Sequence, residues 1–222
     1  SLNDAPVAEK TPVKYLGITF TNTLSWSKHI KNICASATRK LGLLRHKLKA
    51  SPTHVKLLAF KMIILPKLQY ASVVWDLFLK KDKYRLEMVQ RRAIRFIFNK
   101  YRTTDSPNSL MLANSISTLE DRRKIDRLKL LFALYTGSTK VNASVYIQPF
   151  QSRPTRHRHT HNLLPYRAHT NMFKNSLFPR TVSEWNSLPE VVFTSQSICH
   201  FERAILSVLQ SVLDLLYCLS QL

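Results

Sequence analysis

The spacing of hydrophobic positions changes at Trp26. Before it, "PVKYLGITF" (Pro12 to Phe20) alternates and carries β-branched residues, the pattern of a strand. "SLNDAPVA" at the start reads as a second short strand, with Asn3-Asp4 and Thr11-Pro12 as turn material. A β-hairpin is therefore expected over 1–22. Two strands alone are marginal in water, so this hairpin reads as the edge of something larger. Gly17 falls at the centre of the alternating run. Glycine weakens a strand there, because it costs backbone entropy and packs nothing. A β-bulge would account for it, and so would the close approach of another backbone.

Beyond Trp26 the period is helical. Trp26, Ile30, Ile33, Ala37, Leu41, Leu44 and Leu48 recur in steps of four and three, one stripe of a helix with Ser25 as the expected N-cap. Lys28, Lys31, Arg39, Arg45 and Lys49 point away from that stripe. "ASPTHVKLLAFKMIILPKLQYASVVW" opens on Ser51-Pro52 and is apolar nearly all round. It is expected to be the central buried helix, kinked or broken at Pro66. "KKDKYRLEMVQRRAIRFIFNKY" gives a third helix, with Leu86, Val89, Ala93, Ile97 and Tyr101 inward and Arg91, Arg92 and Arg95 mostly outside. "STLEDRRKIDRLKLLFALYTG" gives a fourth. Leu119, Leu128, Leu131, Phe132 and Tyr135, with Arg122 or Arg123, set its faces, and Gly137 suits the C′ position.

After Ser138, prolines at 149, 154, 165, 179 and 189 punctuate short apolar runs. "LFPRTVSEWNSLP" predicts a short helix between proline stops, and a last helix runs from about Ile198 to Leu219. Trp26, Trp75 and Trp185 all fall on apolar-patterned stretches and are expected as core anchors. The fold class is mainly α: an N-terminal β-hairpin (1–22), a helical bundle (23–137), then a looser region with short strands and helices (138–222).

Charge changes this picture most. The net charge is +21, against the magnitude of roughly 2–8 that keeps a small domain soluble. From Lys10 to Trp75 there is no Asp or Glu, and none from Arg127 to Ser183. A solvated helix face mixes signs, because i,i+4 pairs of opposite charge help it. Long runs of one sign repel themselves unless a polyanion offsets them, and nucleic acid is the first such partner to consider. A ribosomal-type or merely very soluble surface is the plainer reading. With 45% hydrophobic residues the chain can bury a core, and three glycines in 222 residues leave few tight turns.

Candidate chemistry is sparse. Cys34, Cys199 and Cys218 are too scattered for a disulfide framework or a zinc knuckle. His157, His159 and His161 alternate in "HRHTH", but Arg156 and Arg158 interleave and no carboxylate is near to orient the rings. A basic loop touching phosphates is favoured over a metal site. No glycine-rich phosphate loop is present, and Asp121 (beside Glu120) and Asp126 are explained by i,i+4 pairing in an arginine-rich helix. No catalytic constellation, metal site or cofactor is expected in this chain. The apolar end "ILSVLQSVLDLLYCLSQL" is short for a spanning helix and carries Gln210 and Asp214, so no membrane partner is expected. No targeting address is legible, and an intracellular place, nucleus or cytoplasm, is the default.

Taken together and in order, "VKYLGITFTNTLSWSKHIKNI", "PKLQYASVVWD", "LEMVQRRAIRFI", "EDRRKIDRLKLL" and "FPRTVSEWNSLP" resemble the C-terminal part of the reverse transcriptase polyprotein of non-LTR (LINE-type) retrotransposons. The resemblance spans essentially the whole chain and places it just after the polymerase palm. It implies that Tyr15, Leu16 and Gly17 form a primer grip, with Gly17 letting the backbone approach the primer strand. It implies a thumb over 23–137 that closes on the template–primer. Lys28, Lys31, Arg39, Arg91, Arg92, Arg95, Arg122 and Arg123 would then meet phosphates, and Arg156 and Arg158 extend that set. The implied partners are RNA, RNA–DNA hybrid and the missing palm and fingers.

The family's paired-aspartate motif, where a parent polymerase would hold Mg, should lie upstream of Ser1, and the endonuclease domain is missing as well. This chain alone is therefore expected not to be an enzyme. The alternatives are a structural or protein-interaction module, with its leucine-rich last helix on a partner, and an inactive transposon remnant.

Overall fold

The computed structural model describes residues 12–76, 79–102, 104–150, 160–195 and 197–219, with side chains in the last helix given to Ser211, Gln210 excepted. The described chain is mainly helical with an N-terminal β-hairpin, and it divides into two compact units, one ending at Arg122 and one starting at Arg123. The strand expected over residues 1–8 lies outside the described residues.

The hairpin lies entirely within the run read as one strand. β1 (Val13–Tyr15) pairs antiparallel with β2 (Ile18–Phe20), in the register Val13↔Phe20, Lys14↔Thr19 and Tyr15↔Ile18. Leu16 and Gly17 form the two-residue turn, at φ +44° and +83°. Two successive left-handed residues match the twist of a tight hairpin, and glycine enters that region without a Cβ penalty. Gly17 is thus neither mid-strand nor in a bulge. A Cβ on Gly17 would also sit 3.4 Å from Cε1 of Tyr70, whose hydroxyl donates to the Leu16 carbonyl at 3.1 Å.

The stripe from Ile30 to Leu41 is buried along α1 (Ser27–Lys47), and Trp26, Leu44 and Leu48 pack half-buried beside it. Ser25 is not the cap: Trp26 occupies that position in helical conformation, and the Thr21 side chain holds both the N–H and the carbonyl of Ser25. The expected break at Pro66 is a register change. α2 (Thr53–Ala59) widens to a π-helical turn (Phe60–Ile64) before α3 (Leu65–Gln69). Proline has no N–H for the carbonyl one turn back. The wider turn absorbs the defect by bonding the Leu65 N–H five residues back, to Phe60. This segment is not buried all round. Phe60, Ile64, Leu65 and Leu68 enter the core, whereas Leu58, Met62, Ile63 and Tyr70 are exposed.

α4 (Lys80–Phe98) packs on α1 and buries Leu86, Val89, Ala93, Ile94 and Ile97 in the core of this unit. It ends at Asn99 in left-handed conformation, φ +55°, so Tyr101 leaves the helical path and is exposed rather than inward. α5 (Pro107–Ala113) follows with proline in its first turn. α6 (Leu119–Tyr135) begins with the Thr118 hydroxyl accepting from the Asp121 N–H and donating to its carboxylate. Glu120 pairs with Lys83 of α4. Asp121 is thus engaged by the cap and Glu120 by another helix.

The second unit has its own core, where Leu128, Leu131, Phe132, Trp185, Val192, Phe201 and Ile205 meet. α6 closes as expected, with Gly137 at φ +69°, its N–H on Leu134, and the Ser138 N–H on Ala133. α7 (Asn171–Lys174) is capped by Thr170, and α9 runs Ile198–Leu219. α8 (Leu177–Asn186) starts before Pro179, which sits in its first turn, where a missing N–H costs nothing, rather than acting as a stop; Pro189 follows its end as expected. The Asn186 side chain clamps the extended chain at Leu163, accepting from its N–H at 2.9 Å and donating to its carbonyl at 2.8 Å. Trp75 and Trp185 are fully buried; Trp26 is half-buried against Phe20 and His29.

Candidate nucleic-acid interface

The acid-free run from Lys10 to Trp75 supplies every wall of one cleft in the first unit, of about 600 Å³. The hairpin contributes Lys14, Leu16 and Gly17. α1 contributes His29, Ile33 and Lys40, which share one face at i, i+4 and i+11. Met62, Ile63, Pro66, Lys67 and Tyr70 complete it from the π-turn, α3 and the residue after it. Lys14, Lys40 and Lys67 are exposed, and among the described residues none has an ion-pair partner. Three ammonium groups around a cleft without a lining carboxylate make a local positive field, strengthened by the low-polarity wall.

His29 is among the residues lining the cleft and is only 3% exposed. Its Nδ1 accepts the Thr19 N–H at 3.1 Å, tying β2 to α1. The rings of Trp75 and Trp26 meet it edge-on, with centroids 5.6 and 6.5 Å away. Burial, and secondarily the charge of Lys67, hold the imidazole below its usual titration range.

The residues expected to contact phosphates are distributed unevenly. Lys28, Lys31 and Arg39 are exposed on α1; Lys28 and Arg39 lie roughly 100–120° round the helix from the stripe that lines the cleft, and Lys31 lies on the opposite side. Arg92 is exposed on α4, Arg91 and Arg95 are half-buried there, and Arg45 of α1 reaches over to donate to the Arg92 carbonyl at 3.1 Å. Arg122 is half-buried. Arg123 is 1% exposed, so its guanidinium belongs to the interior and not to a phosphate-contacting surface. Tyr15 and Leu16 are exposed at the hairpin tip.

Arg156 and Arg158, with His157 and His159, lie outside the described residues. His161 belongs to an aromatic cluster: its Nδ1 is 3.0 Å from the Tyr135 hydroxyl, and its ring stacks on Phe193. Among the described residues no three His, Cys, Asp or Glu side chains gather as a metal site would require, and no helix is long and apolar enough to cross a membrane.

Sequence periodicity missed Lys14, Lys40, Lys67 and His29. The signal that pointed towards them was the absence of acids over Lys10 to Trp75, which marks the stretch but not the residues that converge.

Over an aligned stretch of 100 residues the chain is 28% identical to the protein named "Probable RNA-directed DNA polymerase from transposon X-element" of Drosophila melanogaster, a match covering 43% of this chain and 11% of that protein. The chain thus corresponds to a small part of the length of the relative it matches. No family model matches, and no solved structure matches.

Proposed function

We propose that this chain is the non-catalytic C-terminal portion of a non-LTR retrotransposon reverse transcriptase, and that it holds template–primer nucleic acid through its phosphates. One observation carries the reading. An acid-free stretch folds so that Lys14, Lys40 and Lys67 surround a cleft bounded by the hairpin tip Leu16-Gly17. The distant similarity to a transposon polymerase supports it. Lysines contacting phosphates position a strand without reading its sequence. Lys28, Lys31 and Arg39 on α1, and Arg91, Arg92 and Arg95 on α4, extend the contact away from the cleft in this reading, as a thumb does. Tyr15, Leu16 and Gly17 take the primer-grip position. The exposed apolar side chains of Val13, Tyr15 and Leu16 are assigned to the palm and fingers of a parent polymerase.

The test is a binding titration of the chain with RNA–DNA hybrid at several salt concentrations. The reading expects sequence-tolerant binding whose affinity falls with a log–log slope of several units. Absent or salt-insensitive binding would refute it and leave a protein-interaction module.

A further inference from the structure

We propose that His29 is a ligand-binding residue, its Nε2–H donating to a phosphate oxygen of a nucleic-acid strand seated in the cleft. This rests on the function proposed above and adds to it a specific, uncharged contact. Nδ1 is already occupied as an acceptor for the Thr19 N–H, so the neutral ring must carry its proton on Nε2. That Nε2 is buried and has no hydrogen-bond partner in the protein. A buried donor left unmatched costs about 1–3 kcal/mol, so a site that keeps one calls for an explanation.

The surroundings select the acceptor. Lys14, Lys40 and Lys67 line the same cleft, and no carboxylate does. An anionic oxygen meets a favourable field there and a donor already oriented by two tryptophan rings and a backbone bond. The lowered imidazole pKa keeps the ring neutral with its proton on Nε2, and the cations that raise local potential come from three separate elements. The apolar wall of Leu16, Ile33, Met62 and Ile63 suits a sugar, and a cleft of about 600 Å³ lies within the range of sites for small ligands. A phosphodiester unit of a nucleic-acid strand combines these properties.

Two substitutions separate the ring's two nitrogens. His29→Asn places an oxygen near the Nδ1 position and removes the Nε2 donor. His29→Gln places an amide N–H near Nε2 and removes the Nδ1 acceptor. Binding of a fluorescein-labelled RNA–DNA hybrid is measured for the full chain and both variants, and the imidazole Nε2 proton is followed by NMR in the wild type.

The proposal expects affinity to fall about tenfold in His29→Asn and less in His29→Gln. It also expects a downfield shift of the Nε2 proton as hybrid is added. The NMR titration needs no variant, so it decides the matter even where a substitution perturbs folding. Salt-dependent wild-type binding with an unmoved Nε2 proton and an unaffected His29→Asn overturns this inference while the proposed function stands. No binding by the wild type at low salt overturns both.

Discussion

Neutralising the cleft should change how binding depends on salt more than it changes the fold. The perturbation is Lys14→Ala, Lys40→Ala and Lys67→Ala, singly and together. All three lysines are exposed and free of ion pairs among the described residues. Each substitution is therefore expected to move stability by no more than about 0.5 kcal/mol. If each lysine neutralises one phosphate of a duplex, each contributes about 0.9 to the log–log salt slope, and the triple variant loses about 2.7. Over a fourfold rise in salt, the wild type then loses about 40-fold more affinity than the triple variant does. Fluorescence anisotropy with labelled RNA–DNA hybrid, at several salt concentrations, reads this directly. Lys83→Ala is the control, because Lys83 is paired with Glu120 and stands outside the cleft. Circular dichroism establishes that each variant is folded. A folded triple variant with the wild-type slope would show that the cleft lysines touch no phosphate and would refute the proposed phosphate contact at the cleft.

Gly17→Ala forces a Cβ into a left-handed turn at φ +83° and against Tyr70. Urea unfolding should show a loss of about 1 kcal/mol or more, and an unchanged midpoint would contradict the turn geometry. In the second unit, the buried guanidinium of Arg127 makes two bonds of 2.8 Å to Glu184. Glu184→Ala removes the carboxylate that both of those bonds reach and should cost about 3 kcal/mol in a thermal or urea melt; a loss under about 1 kcal/mol would show that the pair contributes little.

For His29 the folded pKa lies below the unfolded value of 6.5, so below that pH the unfolded chain binds more protons. The associated stability is present above pH 6.5 and is lost as pH falls through the folded value. His29→Asn should flatten that part of the profile. Identical pH profiles for the two proteins would count against the buried, neutral imidazole.

Several elements were legible because they rest on local chemistry. The stripe from Trp26 to Leu48 predicts α1 closely, since spacing by three and four can bury only one face of a helix. Gly137 closes α6 as expected, because a left-handed residue ends a helix wherever it stands. The errors have equally local causes. "KYLGITF" alternates like a strand, yet two residues suffice to reverse the chain when both adopt positive φ. Tyr101 continues the apolar period of α4, but Asn99 ends the helix before that period reaches it. The segment around Pro66 is apolar on several sides, and composition could not tell which side the core would cover.

The sequence by itself determined where helices form, where several of them stop, and that two long stretches carry cations without acids. Hydrogen-bonding period, glycine and charge count are properties of neighbours along the chain. Tertiary structure decided which cations are exposed and which buried. Arg123 and Arg127 lie inside, Arg127 against Glu184, a partner 57 residues away. Lys14, Lys40 and Lys67 come to the same cleft as His29 from three separate elements. That convergence depends on how the hairpin, α1 and α3 pack, and no periodicity within a single element encodes it.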